Sequence, residues 1–291
     1  MIVPENAAQF AQAVHERTKQ LSALGILPIP AHRLEGWMAQ FVTVEEKFFA
    51  GAVLKQLILR TDPQFDSSMA SIFFGELNRT CFPDEHDGHL VSVLRARQEC
   101  KICLVPVIRD DDPPTKSGPL VLRRVQKALG LNSAHFRWPW TVPEKAETIV
   151  FIDDILGSGT QFNKFIGRWN FDSRPNSRLI YAPAVAHDEG IKRVNGNSPN
   201  VQIITAENFT EDHGFFSDRS WQRISSGDIR AEHAKEWYLG FASRRGLTPG
   251  VGVLGSGDLA LTIGFEHGTP NNSLPLLWYG AGGAWTPLLE R

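Results

Sequence analysis

Ile149-Val150-Phe151-Ile152-Asp153-Asp154-Ile155-Leu156-Gly157-Ser158-Gly159-Thr160-Gln161 passes from an apolar run through an acidic pair into a loop of small residues. The four leading apolar residues are too few for a helix of their own and fit a strand buried on both faces of a parallel sheet. The carboxylates of Asp153 and Asp154 then stand at its carboxyl end, the edge at which open α/β sheets bind ligands. There, two carboxylates can accept hydrogen bonds from the vicinal hydroxyls of a ribose and help hold a hydrated Mg2+. Gly157, Ser158, Gly159 and Thr160 permit tight turns that aim successive N–H groups inward, and the two hydroxyls add donors for a phosphate. Phe162, Phe165, Ile166 and Trp169 recur on one helical face, so the loop ends at a helix N-terminus, which favours an anion. A Walker B strand has a similar apolar run and acids, but no GxxxxGK[ST] loop exists in the chain.

The stretch resembles the PRPP-binding motif of type I phosphoribosyltransferases, in which a hydrophobic strand leads into paired acids and a Thr/Ser/Gly loop that holds the 5′-phosphate. Asp153, Asp154, Ser158, Gly159 and Thr160 match that pattern. Gly157 and Gln161 depart from it, since the family usually places Thr, Ser, Ala or Asp at the first position and Thr, Ser or Ala at the second. These departures bear on catalysis more than on fold. The resemblance implies an α/β, Rossmann-like parallel-sheet core with Mg2+ as the expected cofactor.

Composition narrows the class. A chain of 291 residues, 42% of them hydrophobic, can bury a full core. With 30 Lys plus Arg against 32 Asp plus Glu, the net charge of -2 supplies no global field toward nucleic acid or an anionic membrane. Met1 to Phe10 lacks a basic and apolar leader, and no run approaches the ~20 apolar residues of a membrane span, so a cytoplasmic protein is expected. Among three cysteines, Cys100 and Cys103 form a lone CxxC without the second pair a zinc site needs. They are read as structural thiols.

The first 99 residues read as a helical extension packed on a core spanning 100–291. Thr43 with Glu46 makes a capping box that opens a helix through about Arg60, and Met69, Ile72, Phe73 and Leu77 predict another after Asp66. Ile102 to Ile108 is the first strand, and it empties into a loop from Arg109 to Gly118. A helix from about Pro119 to Leu129 follows. Leu179 to Val185 and Val201 to Thr205 read as strands around a short helix from Asp188 to Val194, an alternation that argues for a parallel sheet. Asp228 to Arg245 is helical, and Leu259 to Phe265 is one more strand. Gly250, Gly252 and Gly255 spell GxGxxG, but a strand pattern follows where a dinucleotide fold requires a helix.

Three further segments carry candidate chemistry. The resemblance implies that a loop after an earlier strand binds pyrophosphate, and Arg109, Lys116, Ser117 and Gly118 stand in that place; a solvated turn is the alternative, because Asp110, Asp111 and Asp112 would repel pyrophosphate. The segment 132–147 occupies the slot of a mobile loop that closes over the ribose, with Trp138 and Trp140 excluding water or simply packing on the N-terminal helices. His267, Asn271 and Asn272 lie in a polar loop that either orients a base or only makes a turn.

The acidic-pair strand, the earlier Lys-Ser-Gly and the terminal Pro-Asn-Asn-Ser-Leu-Pro-Leu-Leu-Trp together resemble the phosphoribosyltransferase-like (PRTase-CE) effector family of bacterial conflict systems, found beside retron reverse transcriptases. That resemblance implies an antiphage effector or toxin acting on PRPP or a nucleotide- or NAD-type ribosyl phosphate. A reverse transcriptase with its RNA–DNA product would be its regulatory partner. Asp153, Asp154, Arg109 and Lys116 would be catalytic, with the two aspartates also holding the metal. Residues Gly157, Ser158, Gly159, Thr160 and Gln161, with Ser117 and Gly118, would bind phosphate, and His267, Asn271 and Asn272 would face the base. The competing class is an inactive nucleotide sensor or scaffold that kept the phosphate cradle. Oligomeric state stays open.

Overall fold

Thr148 to Leu156 is a strand at the middle of a parallel sheet in the computed structural model, which describes residues 1–97, 101–225 and 227–291. In chain order the helices and strands are α1 (Ala7–Ala23), α2 (Ala31–Met38), α3 (Val44–Lys55), β1 (Ile58–Arg60), α4 (Asp62–Phe74), α5 (Glu76–Cys81), α6 (His89–Arg95) and β2 (Ile102–Pro106). They continue with α7 (Ser117–Leu129), β3 (Thr148–Leu156), α8 (Thr160–Trp169), β4 (Arg178–His187), α9 (Asp188–Asn197), β5 (Val201–Ile203) and β6 (Glu207–Phe209). The last are α10 (Asp218–Ser225), α11 (Ala231–Arg244), β7 (Ile263–Phe265) and α12 (Pro275–Trp278).

The chain forms two units, Met1–Asp62 with Thr210–Arg291, and Pro63–Phe209. In the second, β2-β3-β4-β5 lie side by side and parallel, with β6 also paired to β4. Helices α7, α8 and α9 each follow a strand, which is the strand-loop-helix order expected of a parallel sheet. Phe151 anchors the centre: its ring meets Phe162, Phe165 and Phe171 at 5.7, 5.3 and 4.9 Å, all edge to face. Truncating such a buried phenylalanine costs about 3–5 kcal/mol, so this cluster fixes α8 against β3 and with it the loop between them.

The discontinuous unit is mostly helical, with β1 and β7 as a short parallel pair. Its core is aromatic: Phe49 packs against Phe215, Trp237 and Tyr238, and Phe41 against Trp37, Phe241 and Trp285. The capping box is formed as expected, Glu46 N–H donating to Thr43 Oγ1 at 3.2 Å. This partition differs from one at residue 99. The segment 63–97 belongs with the parallel sheet, and the C-terminal 210–291 belongs with the first three helices.

Several boundaries move for identifiable reasons. The helix expected to run to Arg60 ends at Lys55, because Ile58, Leu59 and Arg60 pair with Ile263, Gly264 and Phe265. The helix expected after Asp66 starts at Asp62 and stops at Phe74, and Leu77 lies in the separate α5. The strand expected from Leu259 shrinks to 263–265, since Asp258 and Ala260 adopt positive φ of 55° and 47°. Strand β4 instead runs on to His187, whose ring accepts from Glu189 N–H and caps α9. Of the CxxC, Cys103 is buried, and Cys100 lies outside the described residues. No described helix is long and apolar enough to cross a membrane.

Candidate functional site

The acidic pair divides into two unlike carboxyl groups. Side chains alternate along a strand, so Asp153 shares the face of Ile149 and Phe151 and lies within the layer covered by α8. It is 3% exposed and accepts from Tyr181 Oη at 3.0 Å through one oxygen and from Asp154 N–H at 3.0 Å through the other. Tyr181 is itself stacked on Phe162 at 3.7 Å between ring centroids. Burial, reinforced by the adjacent Asp154 carboxyl, holds Asp153 well above the usual carboxylate range, although the Tyr181 hydroxyl and the Asp154 amide pull the other way. Asp154 is half-exposed, with one oxygen accepting from Ile155 N–H at 2.8 Å. Of the two acids expected to face a ribose, Asp153 is engaged within the protein and Asp154 is the more exposed.

The loop after β3 leads directly into α8. Gly159 stands at the N-cap of α8 with φ of 75°, where an L side chain would be strained. Ser158 Oγ lies 3.3 Å from Thr160 Oγ1. Helix α9 closes on the loop through a second glycine: a Cβ on Gly190 would fall 2.2 Å from Gly157 O. That approach brings Arg193, one helical turn on, to donate to Thr160 Oγ1 at 2.5 Å. From the other side Lys116, at the N-cap of α7, donates to Gln161 Oε1 at 2.8 Å. Two cations from separate helices thus flank a helix N-terminus with donor groups, an arrangement that suits an anion. Arg193, Gly190 and Tyr181 escape a sequence reading because they stand 28 to 33 residues from the side chains they serve and carry no motif of their own.

The loop after β2 is different. Arg109 Nη2 donates to Asp112 Oδ1 at 2.9 Å and Arg109 Nε lies 3.4 Å from Asp111. Asp110 accepts from Arg168 Nε of α8 at 2.7 Å. The Asp112 hydrogen bond holds the Arg109 guanidinium charged, and although burial pushes Asp112 up, its hydrogen bonds from Arg109 and the nearby Lys116 charge keep it below its ordinary value. Lys116 alone of the two expected cations reaches the loop after β3. Gly118 is needed for packing, since a Cβ there would lie 2.8 Å from Val107 O, and Ser117 opens α7 without a side-chain cap.

Trp138 and Trp140 stack on each other at 5.2 Å with planes 4° apart, and Trp140 lies 5.5 Å from Trp169 of α8. Both are about half exposed. The polar loop expected to face a base belongs to the discontinuous unit, whereas the acidic pair belongs to the other. Asn272 Nδ2 donates to Ser256 O at 2.8 Å, Asn271 O accepts from Ser256 N–H at 2.7 Å, and His267 stacks on Phe265 and lies 3.7 Å from Asp62. These contacts tie the turn to its own unit.

A parallel α/β sheet whose acidic-pair strand feeds a small-residue loop at a helix N-terminus defines a phosphoribosyltransferase-like protein. The PRTase-CE family model matches residues 34–291, and the chain belongs to that family. No relative is found among curated proteins. Among solved structures the chain is similar to the AQ2163 protein of Aquifex aeolicus, at 16% identity and a TM-score of 0.29, with 38% of this chain and 55% of that chain covered. The match thus spans little more than half the length of that structure.

Proposed function

We propose that the chain binds a phosphorylated ribose, PRPP or a nucleotide- or NAD-type ribosyl phosphate, with the 5′-phosphate on residues 157–161 and the ribose diol on Asp154. The observation that carries this reading is the convergence of Lys116 and Arg193 on the two sides of the α8 N-terminus. Charge-assisted hydrogen bonds of that kind favour an anion. Asp153 acts through position: it holds Tyr181 and the Asp154 amide, and so fixes the backbone from which Asp154 projects.

Mg2+ binds through one or two carboxylates plus substrate phosphates and keeps several waters. The half-exposed Asp154 fits that requirement, and the buried, doubly hydrogen-bonded Asp153 does not. When bound, Mg2+ would neutralise charge on the leaving group. The chain's own contribution is to hold the ribose so that the bond from C1 to pyrophosphate or base breaks with its electron pair on the departing group, while an acceptor or water attacks C1. In a cell this activity would make the protein an effector of an antiphage system such as a retron, silenced by its reverse transcriptase partner.

A second reading, a sensor that binds without turnover, is favoured by one observation. Arg109, which would ease departure of pyrophosphate, is paired with Asp111 and Asp112. Calorimetry with PRPP, AMP and NAD, run beside an assay for released pyrophosphate or base, separates the two: product formation supports the enzyme, and stoichiometric binding of intact ligand supports the sensor. Absence of binding to all three ends both.

A further inference from the structure

The corner between α5 and α6 gathers one carboxylate and two imidazoles. Glu85, His86 and His89 each offer a ligand atom, and the three atoms lie within 4.8 Å of one another. Glu85 and His86 are exposed and His89 is half-buried, so an ion can enter from solvent. The turn that groups them is held from inside. Asn78, fully buried, donates through Nδ2 to His86 O at 3.1 Å and accepts Leu90 N–H at 2.7 Å, so its amide clamps both ends of the turn. Gly88 takes φ of 91°, which folds His89 back toward His86, and His89 N–H donates to His86 O at 3.2 Å. The His89 ring is also set edge-on against Phe82 at 4.7 Å.

The distances suit a small transition-metal ion. Bonds of about 2.1 Å in a tetrahedron place neighbouring ligand atoms about 3.4 Å apart. Glu85 Oε2 and His89 Nδ1 are 3.5 Å apart, with the rings of His86 and His89 at 5.7 Å between centroids and nearly perpendicular. Two imidazoles and one carboxylate suit zinc-class ions and not Mg2+, which takes oxygen ligands. A surface Glu–His pair four residues apart would account for Glu85 and His89 alone, and gives no reason for a second imidazole beside them.

We propose that Glu85, His86 and His89 bind a divalent transition-metal ion of the zinc class, with at least one coordination position left to solvent. This site is separate from the acidic pair and does not depend on the ribosyl-phosphate reading. Co2+ serves as the probe, titrated into the full chain and followed by d–d absorption and calorimetry, with excess Mg2+ present to occupy carboxylate sites. His86→Ala, His89→Ala and, as a control, the exposed His233→Ala are compared after circular dichroism confirms their folding. The expected result is one Co2+ per chain with imidazole-type absorption. Loss of a direct ligand should exceed the roughly 10–100-fold effect of an outer-shell change, so both cluster variants should bind at least tenfold more weakly, and His233→Ala should match wild type. Absence of Co2+ binding, displacement by Mg2+, or equal affinity in wild type and both cluster variants overturns the proposal.

Discussion

The loops after β2 and β3 share one plan, a buried parallel strand emptying into a polar loop that starts a helix, yet their charges are disposed in opposite ways. After β2, Arg109 is paired with Asp111 and Asp112, and Asp110 with Arg168. After β3, the loop carries no cation of its own, and Lys116 and Arg193 reach it from outside through neutral acceptors, Gln161 and Thr160. A guanidinium held by carboxylates is already satisfied, whereas one resting on a hydroxyl can exchange that contact for a phosphate at little expense. On the proposed reading, pairing, and not the number of charges, separates a binding loop from a structural one.

The sharpest way to break this comparison is to push α9 off the loop after β3. Gly190→Ala puts a methyl 2.2 Å from Gly157 O and 2.8 Å from Leu156 Cγ. Overpacking of this kind costs about 1–3 kcal/mol, so the melting temperature should fall and PRPP binding should be lost with the displaced Arg193. Wild-type melting and affinity in that variant would show that the close approach is unimportant. Asp154→Asn and Arg193→Ala come next. Hydrogen bonds to charged groups are worth about 1.5–3 kcal/mol, so each should weaken binding at least tenfold in calorimetric titration without moving the unfolding midpoint appreciably.

Asp153→Asn should act on stability instead of affinity. Burial raises the Asp153 pKa in the folded chain above its unfolded value of about 3.9. The wild-type fold therefore binds the proton more tightly, and its stability is greatest below that value and declines as pH rises through the folded pKa. Asparagine keeps the acceptor for Asp154 N–H with its Oδ1, can donate through Nδ2 to Tyr181 Oη, and does not titrate. In urea unfolding across pH, the variant should gain on wild type steadily above about pH 4. A gap that is flat or shrinks with pH would mean that Asp153 is ionised in the fold. Arg109→Ala should have the smallest effect on binding: it leaves the Asp112 carboxylate, only 7% exposed, without its guanidinium partner and so lowers stability, while ligand affinity should hold.

The sequence carries strand β3 and its loop plainly, because the apolar run, the acids and the small residues are contiguous and each restricts the backbone locally. Helix α8 follows from Phe162, Phe165 and Ile166, all buried as their spacing requires. The unlike surroundings of Asp153 and Asp154 could not be read, because they depend on Tyr181 in the neighbouring strand. Nor could the pairing of Arg109, since a run of aspartates beside an arginine reads equally as a repulsive patch or a closed network. Ile58–Arg60 looked helical for a related reason. A three-residue strand has no period to detect, and its partner lies more than two hundred residues away.

The central claim, that an anion binds at the loop after β3 between Lys116 and Arg193 and that Arg109 takes no part, is met most directly by titrating PRPP into Arg193→Ala and Arg109→Ala beside wild type. The account predicts one PRPP per wild-type chain, binding at least tenfold weaker in Arg193→Ala, and affinity near wild type in Arg109→Ala. Binding lost in Arg109→Ala and kept in Arg193→Ala, or no binding to the wild-type chain, would contradict it.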